Sequence, residues 1–316
     1  MNINKLHQSF LNEFDAVGII KTDRYFFEAE KMSLKLPTSK FPTMIVLGLA
    51  YPKRIIPSTK TNLYASFYTF GTDYHQVLKN RIEKVMSKFS LSYEPCVDNH
   101  PYDERLAAVL AGIGFFGKNQ LIINPKFGSY LFLGIVFVDL KISEEITLPI
   151  IDDCGSCHAC IDACPTKALS NNGYDFNKCI SHFNQSKRIL NSEEIKANYC
   201  LFGCDICQLA CPKNIDITTK LHPEFILSGR EGVNIRELFT LSEKEFKEKY
   251  LDMAYLWKGK TILMRNALTL LLRQKNFGYN NLIQDSIKKY SIPWYRETAI
   301  KILEELELLK KKSTLN

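Results

Sequence analysis

The sequence predicts an α/β domain, then a two-cluster ferredoxin-like insert, then a short basic helical region. Three observations lead there. Strand-like and helix-like stretches alternate through the first 150 residues. Nine of the ten cysteines lie between Cys154 and Cys211. Beyond about residue 255, apolar residues recur at helical spacing. A chain of 316 residues has room for about two domains, or one large domain with an appendage. The expected segments are 1–150, 151–225 and 226–316.

Residues 4–16 read as a helix with Leu6, Phe10, Leu11 and Phe14 on one side. Thr43–Ala50 reads as a buried strand closed by Tyr51-Pro52, and 53–61 as a loop. A long helix is expected over much of 73–89, where Val77, Ile82, Val85 and Phe89 are apolar. Tyr93–Val97 reads as a short strand. Pro101–Glu104 opens a helix that stops at its glycines. Leu121–Asn124 and Tyr130–Leu140 read as strands around a turn at Pro125–Gly128. Cys154–Pro212 has little hydrophobic periodicity, and such a segment folds around its metal centres. Three helices follow. Ile262, Leu263, Ala267, Leu270 and Leu271 line the first. Leu282 and Ile287 mark the second, and Ala299, Ile300, Ile302, Leu303 and Leu306 the third. They are too few for a free-standing helical solenoid and must lean on the rest of the protein.

Composition narrows the class. Apolar residues make up 46% and charged residues 24%, which excludes a disordered chain. The longest strongly apolar stretch, Tyr130–Val138, falls far short of the roughly 20 residues of a membrane-spanning helix. The N-terminus lacks the apolar core of a signal peptide, so a cytoplasmic protein without a membrane is expected. From Lys258 to Asn316 there are 12 Lys+Arg against 5 Asp+Glu, so this stretch carries the whole net charge of +7. A neutral body with a basic end suits a polyanionic partner. Lys258, Lys260, Arg265, Arg273, Lys288, Lys289, Arg296 and Lys301 are the candidate phosphate contacts.

Clustered cysteines in a chain of this kind read as metal ligands in a reducing compartment. Cys154-x2-Cys157-x2-Cys160-x3-Cys164-Pro165 is the bacterial ferredoxin run, in which three thiolates wrap one cube and the fourth reaches another. A structural zinc would need only four ligands, commonly in two separated pairs. Cys204-x2-Cys207-x3-Cys211-Pro212 repeats the run, with Ala210 in place of one ligand. Reciprocal ligation assigns Cys154, Cys157, Cys160 and Cys211 to one 4Fe–4S cluster. Cys164, Cys204 and Cys207 hold the second and need an eighth ligand. Cys179 and Cys200 are the candidates. Cys179, in the long connection between the runs, is preferred. Cys96 is a structural thiol.

Six stretches match a family: GTDYH (71–75), VDNHPYDER (97–105), AGIGFFGKNQLIINPKFGSYLFLG (111–134), CGSCHACIDACPTKAL (154–169), CISH (179–182) and GCDICQLACPKN (203–214). In this combination and order the chain resembles epoxyqueuosine reductases. The resemblance implies a cobalamin-binding α/β domain related to flavin reductases, a double-cluster insert and HEAT-like helices. It implies reduction of epoxyqueuosine to queuosine at the tRNA wobble position, with electrons passing through both clusters to cobalamin. It assigns the proton donor to Asp98, whose carboxyl burial or a nearby like charge would hold protonated. Cobalamin contacts are implied at Asp98, the Ile122–Ile123 strand, Leu133, Ser181, Cys204 and Asp205. The implied partners are the anticodon stem-loop of tRNA and a low-potential electron donor such as a ferredoxin or flavodoxin, acting on a monomer.

Other readings attach to the same residues. Asp98 can instead cap the helix after Pro101. Gly114 and Gly117 would admit a planar ligand or simply end a helix. Lys118 would meet a phosphate or a propionamide, or stay solvated. His75 follows Asp73 as in a cobalt-ligating Asp-x-His-x-x-Gly motif, but Leu78 occupies the glycine position, so a structural histidine is expected. His100, His158 and His182 lack metal spacing. The chain also departs from the family at His182–Ser186 and at Lys213, and its helical tail is shorter. A cobalamin-dependent reductase of a small molecule, dehalogenase-like, is the first alternative. The basic C-terminal stretch argues against it. A plain electron carrier is the second, and the large N-terminal domain argues against that.

Overall fold

The computed structural model describes residues 3–147 and 152–314. The expected boundary between residues 150 and 151 lies outside the described residues. In chain order, α1 (Ile3–Leu11), β1 (Ala16–Lys21), α2 (Thr22–Lys31), β2 (Thr43–Ala50) and β3 (Asn62–Tyr64) come first. Next are α3 (Tyr74–Met86), β4 (Tyr93–Cys96), α4 (Glu104–Leu110), β5 (Phe115–Phe116), β6 (Ile122–Ile123) and β7 (Leu131–Val138). The cysteine-rich part holds α5 (Ala159–Ala163), β8 (Leu169–Ser170), β9 (Gly173–Tyr174), α6 (Ile180–Phe183), α7 (Ser192–Ala197) and α8 (Ile206–Leu209). The chain ends with β10 (Gly232–Asn234), α9 (Ile235–Thr240), α10 (Glu243–Lys249), α11 (Lys260–Arg273), α12 (Asn280–Lys289) and α13 (Pro293–Thr314).

Two compact units result. The first contains Met1–Lys53, Asp73–Cys160 and Gln208–Phe225, and the second Arg54–Thr72, Ile161–Cys207 and Ile226–Asn316. The expected cysteine-rich segment is thereby shared between them.

The first unit is built on a four-stranded sheet of order β1-β2-β7-β4. Alternating strands and helices usually signal parallel pairing, yet all three ladders here are antiparallel. Central β2 is buried along its whole length because both faces are covered. Met44, Val46, Ile135 and Phe137 point to the side of α2 and α4, where they pack with Tyr25, Leu106 and Ala107. Ile45, Leu47 and Val136, of opposite parity, are buried on the other side. Two-sided burial makes an antiparallel strand read as an unbroken apolar run.

Several elements differ from expectation. The first helix stops at Leu11, and β1 and α2 occupy 16–31, where the sequence pattern predicts no element. β6 pairs with β5 in a small separate ladder, whereas β7 is central in the main sheet. Cys96 is buried in the core, and burial pushes its thiol up to about 12.

Segment 208–225 is fastened to this unit by polar contacts. The Gln208 side chain donates to Tyr51 Oη and to Ser129 O and Oγ, each at 3.1 Å. Asn214 donates from Nδ2 to Ser129 Oγ at 2.8 Å, and its Oδ1 accepts from Ser129 N at 2.8 Å. Arg81 grips the Glu224 carboxylate with both arms, at 3.0 and 2.7 Å. His222 reaches buried Asp15 at 2.7 Å. Burial opposes the charge on Asp15, but hydrogen bonds from His222 and Lys220 outweigh it and hold the carboxyl at about 2.

The second unit has its own core, centred on α11, whose residues 262–271 are all buried. β3 and β10 pair antiparallel through Leu63 and Val233, and both side chains enter that core with Ile180, Phe183 and Leu201. The segment expected to fold around metal centres alone is thus partly carried by an apolar core. Arg265 is 0% exposed. Its guanidinium donates to the carbonyls of Phe183, Asn184, Ser186 and Arg188. Lys260 is buried too, donating to Leu241 O and Tyr290 Oη. Neither base is available to a phosphate, contrary to the sequence expectation. Ile300, expected on an apolar face, is 39% exposed. No helix among the described residues is long and apolar enough to cross a membrane.

Candidate functional site

Each unit contains one full set of expected thiols. In the first, Cys154, Cys157, Cys160 and Cys211 line one cavity together with Asn119 and Ile123. The loop turns at Gly155, where φ is +46°. Lys118 secures it, its ammonium donating to Gly155 O at 2.8 Å and Cys157 O at 3.0 Å. The Lys118 N–H also donates to Cys154 Sγ at 3.4 Å. This lysine therefore serves the thiol loop rather than a propionamide or phosphate. Burial raises the Cys160 and Cys211 thiols, and the neighbouring thiols of the set raise them further. Such mutual repulsion shows convergence, and it is what cationic iron would relieve. Lys213 pairs with Asp152 at 2.6 Å.

The second unit contains Cys164, Cys179, Cys204, Cys207 and also Cys200. Burial would raise the Cys164 thiol. Hydrogen bonds from the backbone of Leu169, Ala168 and Thr166, and from the Thr166 hydroxyl, lower it overall. Cys179 stands at the N-terminus of α6. Cys204 accepts a hydrogen bond from Tyr199 Oη at 3.5 Å. Burial lifts its thiol to about 12, and the Cys179 charge adds to the rise. Cys200 is different. It is fully buried, its thiol is driven well up, and it donates to Phe202 O at 3.2 Å and Tyr64 O at 3.6 Å. Among the described residues no three His, Cys, Asp or Glu side chains converge as ligands of a single metal ion would. The spacing of the thiols along the sequence is that of iron–sulfur cluster ligands.

Asp98 follows β4 in the first unit at φ +56°, a conformation few non-glycine residues adopt. Its N–H donates to Glu104 Oε1 at 3.1 Å. It is neither buried nor a helix cap. The side chain is 45% exposed, and Asp103 caps α4 by accepting from Arg105 N and Leu106 N. His75 takes the place of burial. Its Nε2 lies 3.0 Å from Asp98 Oδ2 and its Nδ1 lies 2.6 Å from Asp73 Oδ1. Asp73 also caps α3 by accepting from His75 N, so the helix start fixes the ring. Tyr74 stacks on His75 at 4.0 Å and on Phe132 at 4.2 Å. Burial would lower the imidazole. The hydrogen bonds with Asp73 and Asp98 outweigh it and lift His75 to about 9. His75 is thus cationic at neutral pH. The Asp-x-His signal is present in the sequence, and in the structure both ring nitrogens of His75 face carboxylates, Asp73 and Asp98.

Of the remaining expected contacts, Ile122 is buried in the sheet core and Leu133 packs against that core. A side chain at Gly114 would strike Ile122 and Ile123, and one at Gly117 would strike Asn119 and Ile123. Both glycines therefore serve internal packing. In the second unit Asp205 is buried, held by the Ser66 hydroxyl and by Phe67 N at 3.3 Å. Burial raises its carboxyl to about 6 against those bonds. Ser181 Oγ accepts from Gln185 at 3.2 Å. His100 pairs with Glu104 at 3.1 Å, and His182 lies edge-on to Phe176 with centroids 4.9 Å apart.

Comparison with known proteins gives a consistent result. The family model described as a 4Fe-4S double cluster binding domain matches residues 153–214. The one described as Epoxyqueuosine reductase QueG, DUF1730, matches residues 33–99. The chain is 35% identical to the epoxyqueuosine reductase of Lactococcus garvieae over 256 residues, 77% of this chain and 72% of that protein. It is 33% identical to the Bacillus subtilis enzyme over 283 residues, 85% of this chain and 73% of that protein. The structure of epoxyqueuosine reductase from Streptococcus thermophilus aligns with a TM-score of 0.82 at 26% identity, covering 97% of this chain and 90% of that one. A crystal structure of an epoxyqueuosine reductase with an epoxyqueuosine-modified tRNA-Tyr stem loop aligns with a TM-score of 0.78 at 26% identity, covering 96% and 98%.

Proposed function

This chain belongs to the epoxyqueuosine reductase family, and from that premise we propose that it reduces epoxyqueuosine to queuosine in the anticodon loop of tRNA. The reaction takes up two electrons and two protons, leaves a carbon–carbon double bond and releases the epoxide oxygen as water. The observation that carries this reading is one complete four-thiol set in each unit, together with an Asp98–His75 pair in the first. Cys154, Cys157, Cys160 and Cys211 hold one 4Fe–4S cluster. Cys164, Cys179, Cys204 and Cys207 hold the other. The Cys200 thiol proton is committed to backbone carbonyls, which favours Cys179 as the eighth ligand. Cobalamin, when bound, supplies a strongly reducing centre for the epoxide carbon. The residues proposed to hold it are Asp98, Ile122, Leu133, Ser181, Cys204 and Asp205. Ile122 would act through its backbone, since its side chain is in the core.

The chain's own part is proton supply. Asp98 delivers a proton to the departing oxygen, and His75, charged below about pH 9, restores it. The first unit is read as flavin-reductase-like and α11–α13 as HEAT-like. The protein acts as a cytoplasmic monomer fed by a ferredoxin or flavodoxin. The test is anaerobic turnover of tRNA bearing epoxyqueuosine, with cobalamin and a low-potential reductant. Loss of one oxygen from the digested nucleoside, dependent on cobalamin and abolished in Asp98→Ala, is expected. No conversion with both clusters and cobalamin in place would overturn the reading.

A further inference from the structure

We propose that a groove of the second unit holds an unpaired RNA base, a neighbour of the one that reacts, stacked on Trp257. This rests on the tRNA reading above. The groove encloses about 840 Å³ and is lined by Tyr174, His182, Gln185, Lys187, Trp257 and Lys258, among others. That volume accommodates a nucleotide with its sugar and phosphate. The lining contains no Asp or Glu, so its potential favours an anion.

The aromatic ring sets the class of ligand. Trp257 is 47% exposed. An indole in an open, cationic groove is a stacking platform, and stacking is how single-stranded bases are held. The Lys258 ammonium lies over one face of the indole, 3.5 Å from its centroid, so a base stacking there takes the ammonium's place and leaves it to the phosphate. The His182 ring and the Gln185 amide offer donors and acceptors to the base edge. Ser181, one of the residues proposed above to contact cobalamin, also lines the groove, so the base held here adjoins the one that reacts.

The groove is also rigid. One wall, His182–Lys187, is fixed from behind by Arg265, which binds the carbonyls of Phe183, Asn184, Ser186 and Arg188. Arg265 is carried by α11, and Trp257 lies three residues before that helix begins. Both walls therefore hang on one helix. Little ordering is left to be done when a base enters.

The probe is an unmodified anticodon stem-loop RNA, titrated into the cluster-loaded protein. Trp257 and Trp294 are the two tryptophans, so Trp294→Phe leaves Trp257 as sole emitter. RNA is expected to quench that emission saturably. In anisotropy with labelled RNA, Trp257→Ala should bind about 10- to 100-fold more weakly, the size of one base–aromatic stack, while Trp257→Phe stays near wild type. Unchanged RNA affinity in Trp257→Ala, or absence of quenching while RNA binds, overturns the proposal. Weakened cobalamin binding in Trp257→Ala with RNA affinity intact would assign the groove to the cofactor's nucleotide tail and also overturn it. If the wild-type protein binds no RNA, the tRNA reading itself fails.

Discussion

The same cysteine run, used twice, meets different surroundings in the two units. In the first, Cys154 accepts from the backbone N–H of Lys118, and the lysine ammonium ties the loop carbonyls. In the second, hydroxyls reach the sulfurs: Tyr199 bonds Cys204, and Thr166 lies 3.6 Å from Cys164. The units differ in proton chemistry as well. The first has an open Asp–His–Asp relay, and the second a sealed polar network around Arg265. Spacing decides that a cluster forms. The neighbours of the sulfurs decide how readily it takes an electron.

The largest effect that would break this comparison is loss of the second cluster. Cys179→Ala is expected to lower bound iron to about half and abolish turnover. Cys200→Ala should keep full iron, because that thiol donates to Phe202 O and Tyr64 O. Iron analysis with electron paramagnetic resonance reads both. The reverse pattern would make Cys200 the ligand and undo the contrast between the two thiols.

The proton relay comes next. His75→Gln is expected to lower kcat about 100-fold, the usual weight of a positioned acid–base group, with little change in KM. The wild-type rate should fall as pH rises through about 9, where His75 loses its proton. Stability follows the same sign. The histidine is raised above its ordinary 6.5, so its ion pairs contribute fully below that value and fade between 6.5 and about 9. A rate profile flat through pH 9 would remove His75 from proton supply.

How much of this was legible in the sequence follows from range. The cluster cysteines could be read because iron–sulfur ligation is written in short spacings. β2 was legible to the residue, because a strand covered on both faces is a continuous apolar run. Antiparallel pairing was not, since β2 and β7 meet across some 90 residues of chain. Lys260 and Arg265 counted as surface charge because sequence charge carries no burial. The link from His75 to Asp98 spans 23 positions and depends on a left-handed backbone at Asp98. Asp205 and Tyr199 were close to the motif, but the hydroxyl's reach to sulfur is a property of the fold.

Arg265 tests whether the second unit's network is structural. Arg265→Met retains the apolar stem and removes a donor from four carbonyls, of which Phe183 O, Asn184 O and Ser186 O keep another from Ser186 N, Asn266 Nδ2 and Arg188 N, at a cost of roughly 1–3 kcal/mol. Denaturant unfolding should shift accordingly, with cluster loading intact at low temperature. Lys118→Met, on the first unit's more open loop, should cost less.

The smallest effect is the sharpest. Tyr199 Oη accepts from Asp205 N at 2.8 Å, so its single proton is left to point at Cys204 Sγ. A hydrogen bond to a cluster thiolate disperses its negative charge and raises the reduction potential. Tyr199→Phe keeps the ring and removes the proton. In a redox titration followed by electron paramagnetic resonance, one cluster should move to lower potential while the other holds still, with iron content unchanged. A merely structural tyrosine would move neither. If both moved together, the two clusters would share one electrostatic environment, and the difference between the units would lie in their folds alone.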